Sequence, residues 1–127
     1  MKKVLFVCVE NTCRSQMAKG FFNRYALDAV SDSAGTNPAE RIDPLAVQVM
    51  NERGIDINGY VPQMLTFSMI NEFDYIVTMG CMDGCPLTPR SKTIPWEIED
   101  PKGKIIDDYR RIRDQIKNNV TGLIKEI

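Results

Sequence analysis

Apolar positions in this chain change period every ten to twenty residues. Lys3 to Val7 is apolar and β-branched without alternation, the pattern of a central parallel strand covered on both faces. Polar residues fill positions 10 to 16. Met17, Phe21 and Tyr25, with Ala18 and Phe22 beside them, then fall at three- and four-residue spacing, which predicts a helix from Ser15 to near Leu27. The opening is therefore strand, loop, helix.

The alternation continues. Ala29 to Ala34 reads as a second short strand, ending in the turn-rich Ser33-Ala34-Gly35-Thr36-Asn37-Pro38. Asp43-Pro44 opens a second helix, because Asp caps free amides and Pro suits the first turn; Leu45, Val47 and Met50 follow until Gly54 stops it. Thr66 caps a short helix running through Phe73, and Asp74 to Met79 forms a third buried strand that Gly80 ends. Lys92-Thr93-Ile94 is a weaker fourth strand, followed by a loop from Pro95 to Lys104. Apolar residues at 105, 109, 112, 116, 120, 123 and 127 then mark one long helix. These elements predict an α/β fold: one doubly wound, mostly parallel four-stranded sheet flanked by helices, with ligands at the carboxyl ends of the strands.

Composition narrows the function. With 127 residues, 43% of them hydrophobic, the chain suits a single domain spanning 1–127. A formal net charge of −1 gives no basic excess to recommend nucleic acid or an anionic membrane as a partner. Lys2 and Lys3 precede an apolar run too short for a signal peptide, and no stretch is long enough to cross a bilayer, so a cytoplasmic location is expected. Thiols there stay reduced, and Cys8, Cys13, Cys81 and Cys85 call for a catalytic, metal or redox explanation. The chain contains no histidine, which excludes a Ser-His-Asp triad, a Cys-His dyad and imidazole ligation.

The chemistry concentrates in Cys8-Val9-Glu10-Asn11-Thr12-Cys13-Arg14-Ser15. A cysteine at the end of the first strand stands before an arginine and a serine at a helix start. The unpaired amides and partial positive charge there, with the planar fork of Arg14, suit a tetrahedral oxyanion. The same field favours Cys8 as a thiolate nucleophile. Ser15 can donate to its sulfur, and Asn11 tolerates a left-handed backbone. Read alone, Cys8 would be a small buried hydrophobe; the surrounding Arg14, Ser15 and strand-loop-helix context argue against that. For Cys13, packing is the preferred reading over a redox role.

Cys8 to Ser15 resembles the Cys-x5-Arg-Ser loop of the low-molecular-weight protein tyrosine phosphatase superfamily. Val7-Cys8-Val9 together with Cys13-Arg14-Ser15-Gln16-Met17-Ala18 is more similar to its thioredoxin-coupled arsenate reductase branch. The resemblance extends through Ser33 to Thr36, Asp74 to Gly80 and Trp96 to Gly103. It implies a flavodoxin-like sheet of order 2-1-3-4, the backbone of Val9 to Cys13 with Arg14 as oxyanion holder, and Asp100 as proton donor to the departing oxygen. It further implies arsenate as substrate with phosphate as its mimic, arsenical resistance as the setting, no bound cofactor, and thioredoxin as external reductant.

Two features separate the branches. In the phosphatases an aromatic residue commonly follows the Asp-Pro pair, whereas Lys102 follows Asp100-Pro101 here. Cys81-Met82-Asp83-Gly84-Cys85, directly after the third strand, offers the electrons a reductase needs. The resemblance implies that Cys81 attacks the Cys8 adduct, leaving a Cys8-Cys81 disulfide, and that Cys85 then takes over the bond with Cys81. The three-residue spacing of Cys81 and Cys85 is shorter than many such reductases use. Lys19 stands where some relatives carry a glutamate linked to a monovalent-cation site, so no metal site is expected. The alternatives are a phosphatase working through a phosphocysteine, and a non-catalytic oxyanion-binding or redox-sensing module. A zinc site of four cysteines would consume Cys8 as a ligand. A monomer is the default oligomeric state.

Overall fold

In a computed structural model, which describes residues 1–80 and 88–127, the chain builds one four-stranded sheet. The elements in order are β1 (Lys2–Cys8), α1 (Arg14–Tyr25), β2 (Ala29–Gly35), α2 (Pro44–Asn51), α3 (Phe67–Glu72), β3 (Tyr75–Met79), β4 (Thr93–Trp96) and α4 (Ile106–Glu126). The strand order is β2-β1-β3-β4, and every pairing is parallel. Cys8, Gly35, Met79 and Trp96 therefore end their strands at the same edge, where the first loop opens.

Alternation along β1 divides the core. Val4, Phe6 and Cys8 face a cluster that includes Met17, Phe21 and Phe22 of α1, Val49 and Met50 of α2, and Ile112 and Ile116 of α4. Leu5 and Val7 face the other way, onto Ala34, Ile70, Phe73 and Ile76. Helices thus cover both faces, and the continuous apolar run of β1 is the consequence.

Both expected caps form. Asp43 Oδ1 accepts from the Leu45 amide at 2.9 Å, and Thr66 Oγ1 accepts from the Met69 amide at 3.2 Å. Several boundaries differ from expectation, three of them for identifiable reasons. Helix α1 ends at Tyr25, because Ala26 is extended and Leu27 stands 93% exposed. Strand β4 runs through Pro95 to Trp96, since it is an edge strand that pairs, among the described residues, with β3 alone, and an edge position tolerates a missing amide. Ile105 was expected on the apolar stripe of α4 but precedes the first turn in extended conformation, leaving Ile106 to pack against the core.

Helix α4 is tied to α2 by charge as well as by packing. The buried Arg113 donates through Nη1 to the Val49 carbonyl at 3.1 Å and to Glu52 Oε1 at 2.7 Å, while Arg110 Nη2 reaches Glu52 Oε2 at 2.8 Å. Hydrogen bonding from Arg110, aided by Arg113, pulls the Glu52 carboxyl down to about 2. A carboxyl depressed on folding stabilises fully above its ordinary value, and that contribution fades as pH falls toward the folded value. Melting curves of the wild type and Glu52→Gln should therefore differ most above about pH 4.5 and converge toward pH 2. A difference that stays constant over that window would show that this carboxylate is not coupled to folding.

Candidate functional site

Backbone accounting explains the shape of the loop between β1 and α1. Every carbonyl from Cys8 to Cys13 accepts a hydrogen bond from outside the loop. Thr36 donates to Cys8 at 3.2 Å, Asn37 to Val9 at 2.8 Å, Ala39 to Glu10 at 3.1 Å and Asp43 to Thr12 at 3.0 Å. The Gln16 side chain serves Asn11 at 2.9 Å, and the Met17 amide serves Cys13 at 2.9 Å. No amide from Val9 to Cys13 donates to an acceptor among the described residues. With the carbonyls held outward and the amides left over at a helix start, the loop is built to receive an anion.

Asn11 makes the turn possible. Its φ is 56°, a left-handed conformation that Asn adopts more readily than other side-chain-bearing residues. The buried side chain is held on both sides, accepting from the Gln63 amide at 2.9 Å and donating to Ser15 Oγ at 2.6 Å. Ser15 Oγ lies 2.9 Å from Cys8 Sγ. An amide NH2 can only donate, so the Ser15 oxygen accepts from Asn11 and keeps its own hydrogen for another partner; in the contact with the Cys8 sulfur either atom can be the donor. Gln16 and Gln63 brace this line, through the Ser33 hydroxyl at 2.9 Å from Gln16 and the Ser33 carbonyl at 2.7 Å from Gln63.

Gly35 ends β2 against the loop. A Cβ there would lie 2.5 Å from the Val9 carbonyl oxygen and 2.9 Å from Asn11 Cβ, so any side chain would displace the loop. Gly80, at φ 76°, plays the same part for Arg14, whose Nη1 would lie 2.6 Å from an added Cβ.

Arg14 is buried, and its Nη1 donates to the carbonyls of Met79 at 2.7 Å and Ile98 at 3.1 Å. Nη2 approaches Asp100 Oδ2 at 3.7 Å. One arm of the guanidinium is anchored, and the other stands beside a half-exposed carboxyl. Asp43 adds a further tie, accepting from Tyr109 Oη of α4 at 2.5 Å while its amide holds the Thr12 carbonyl. Burial, and then this bond, keep the Tyr109 phenol protonated far above its ordinary range.

The two loop cysteines differ in environment. Cys13 belongs to the apolar core, where burial pushes its thiol up and the charges of Asp43 and Cys8 push it the same way. That supports packing as its role. Lys19 pairs with Asp32 at 3.2 Å and lies over the Tyr60 ring at 4.3 Å, so a side-chain ammonium fills that region. Among the described residues no group of three or more acidic, Cys or His side chains is arranged to hold a metal ion.

Cys8, Val9, Glu10, Asn11, Thr12, Cys13, Arg14 and Ser15 thus share one loop, with Asp100 beside Arg14; Cys81 and Cys85 lie outside the described residues. Sequence reasoning missed Gln16, Ser33, Gln63, Asp43 as a loop tether, and the carbonyls of Met79 and Ile98.

Known proteins resemble this chain over its length. A family model described as low molecular weight phosphotyrosine protein phosphatase matches residues 3–127. A glutaredoxin arsenate reductase from Synechocystis is 35% identical over 100% of this chain and 99% of its own. A solved arsenate reductase in the phosphate-binding state superposes with a TM-score of 0.89 at 33% identity, covering 100% of this chain and 99% of that one. A thioredoxin-dependent arsenate reductase from Corynebacterium glutamicum gives 0.85 at 36% identity, over 99% of this chain and 61% of the other. Among the described residues no helix is long and apolar enough to cross a membrane.

The Ser15 hydrogen bond is open to direct test. Hydrogen bonds to charged groups contribute about 1.5–3 kcal/mol. Ser15→Ala should accordingly slow alkylation of Cys8 by iodoacetamide at neutral pH by about tenfold or more, with circular dichroism unchanged. An unchanged alkylation rate would remove Ser15 from activation of the thiolate.

Proposed function

The chain belongs to the low molecular weight phosphotyrosine protein phosphatase family, and from that premise we propose that it is an arsenate reductase using Cys8 as nucleophile. The observation that carries the reading is the loop from Cys8 to Ser15. Its carbonyls are bonded outward, its amides are left over, and the Ser15 hydroxyl lies 2.9 Å from the Cys8 sulfur. Residues 1–127 then act as a single catalytic domain.

In this reading the loop amides of Val9 to Cys13 and the free arm of Arg14 hold the oxygens of arsenate, with phosphate as its mimic. The Cys8 thiolate attacks arsenic, and Asp100 protonates the oxygen that leaves as water. The Cys81 thiolate then attacks the Cys8 sulfur. The sulfur-arsenic bond breaks, its electron pair stays with arsenic, and arsenite departs as the Cys8-Cys81 disulfide forms. Two thiols are oxidised as arsenic gains two electrons. Cys85 attacks Cys81, which frees the Cys8 thiol and leaves a Cys81-Cys85 disulfide for an external dithiol, thioredoxin in our reading, to reduce. No bound cofactor is required. The names of the relatives divide between glutaredoxin and thioredoxin, so both carriers belong in the assay.

Phosphatase action at the same loop is the second reading. It is favoured by the family the chain belongs to, and opposed by Lys102 following the Asp100-Pro101 pair and by the two cysteines after β3. A non-catalytic binding or sensing role would leave the nucleophile and acid without use. The reductase acts in the cytoplasm as a monomer in this reading, with neither nucleic acid nor membrane as partner.

The deciding experiment follows arsenate-dependent NADPH oxidation with thioredoxin and its reductase, and separately with glutaredoxin. Wild type should turn over, and Cys8→Ser and Cys81→Ser should not. Absent turnover with either carrier, alongside aryl phosphate hydrolysis that survives Cys81→Ser, would transfer the assignment to a phosphatase. Arg14→Lys should lower turnover by about ten- to a hundredfold, because a lysine lacks the planar fork that serves the two carbonyls with one arm and an anion with the other. Near wild-type kinetics in that variant would refute the anion cradle.

A further inference from the structure

Glu10 is an acid inside a loop built to bind an anion. Its backbone is fixed by the bond from Ala39 to its carbonyl, so its charge travels with the cradle. The carboxylate is 31% exposed, and the ammonium of Lys102 reaches both its oxygens, at 2.7 and 2.8 Å. Glu10 in turn pushes the Lys102 ammonium above its ordinary range, first by hydrogen bonding and then by charge. The partner comes from the loop before α4, 92 residues further along the chain.

The same lysine holds the acid loop in place. Its amide donates to Asp100 Oδ1 at 3.1 Å, and Asp100 Oδ2 stands 3.7 Å from Arg14 Nη2. Glu10, Lys102, Asp100 and Arg14 thus form a line of contacts from one side of the anion loop to the other, the link from Lys102 to Asp100 being made by the lysine's backbone amide. Lys102 and Glu10 also line a groove of about 410 Å³ beside that loop, together with Thr12, Asp43 and Tyr109.

Exposed ion pairs contribute little to folding stability, so stability does not account for an acid placed here. Its effect falls on whatever anion enters. We propose that Lys102 is a positioning residue for oxyanion binding: its ammonium cancels the Glu10 charge at the mouth of the cradle and so admits a doubly charged tetrahedral anion. The inference rests on the oxyanion reading of the Cys8 loop and adds a specificity element outside the loop itself. Without Lys102, the Glu10 carboxylate opposes the incoming dianion directly. With both removed, the opposition disappears.

The test is calorimetric titration of the reduced full chain with inorganic phosphate. Lys102→Met should weaken binding about tenfold, equivalent to about 1.4 kcal/mol. The double variant Glu10→Gln, Lys102→Met should return to within about threefold of wild type, and Lys102→Arg should retain most of the affinity. The loss in Lys102→Met should shrink as sodium chloride is raised, as screening requires. In the arsenate assay the single variant should raise KM more than it lowers kcat. Melting temperatures should stay together, because the pair is exposed. Wild-type affinity in Lys102→Met, or a loss that the double variant does not restore, would overturn the proposal while leaving the reductase reading in place. The predicted phosphate pattern without arsenate turnover would overturn the reductase reading alone. Absence of phosphate binding by the wild type would overturn both.

Discussion

The site depends on where the loop's carbonyls go. A six-residue backbone segment that turned its own oxygens inward would repel any oxyanion, whatever side chains it carried. Here Thr36, Asn37, Ala39 and Asp43 hold four of those carbonyls, and α1 holds the other two through Gln16 and Met17. The segment from Thr36 to Asp43 therefore acts as a scaffold for the loop, although its side chains carry no chemistry. Gly35 is the hinge of that arrangement, since only a residue without Cβ lets the scaffold lie directly against Val9 and Asn11.

This explains what the sequence could and could not reveal. The strands and helices were legible because burial imposes period: β1 is covered on both faces and reads as unbroken apolar residues, while α4 buries one stripe. Cys8, Arg14, Ser15 and Asn11 were legible because each residue type has few other reasons to stand at that spacing. The tethers were not legible. An amide from Ala39 or Asp43 has no side-chain signature, and Gln63 sits in a stretch with no periodicity. The length of β4 was missed for a related reason: Pro95 looks like a terminator until the sheet order shows that its strand lies at the edge.

Arg14 shows how a buried charge is kept. Its side chain is almost wholly removed from water, a costly state without compensation, and the carbonyls of Met79 and Ile98 supply it from the ends of two separate segments. Gly80 clears the path. One arm is thereby fixed at the carboxyl edge of the sheet and the other is oriented without being consumed, since Asp100 at 3.7 Å is a loose partner that an arriving anion can replace. The arginine is pre-organised, so little ordering remains to be done on binding.

Cys8 and Cys13 share a loop and are both buried, at 2% and 4% exposure, so burial alone does not separate a nucleophile from a packing residue. Polar contact does. Cys8 contacts the Ser15 hydroxyl, which is itself committed by Asn11, which is in turn held by the Gln63 amide. Cys13 has apolar neighbours and nearby negative charge, and both resist ionisation. In a chain without histidine, the base that would normally select one thiol over another is absent. What distinguishes the two thiols is instead a line of hydrogen-bonding partners from the Gln63 amide through Asn11 and Ser15 to the Cys8 sulfur, a line that Cys13 lacks among the described residues.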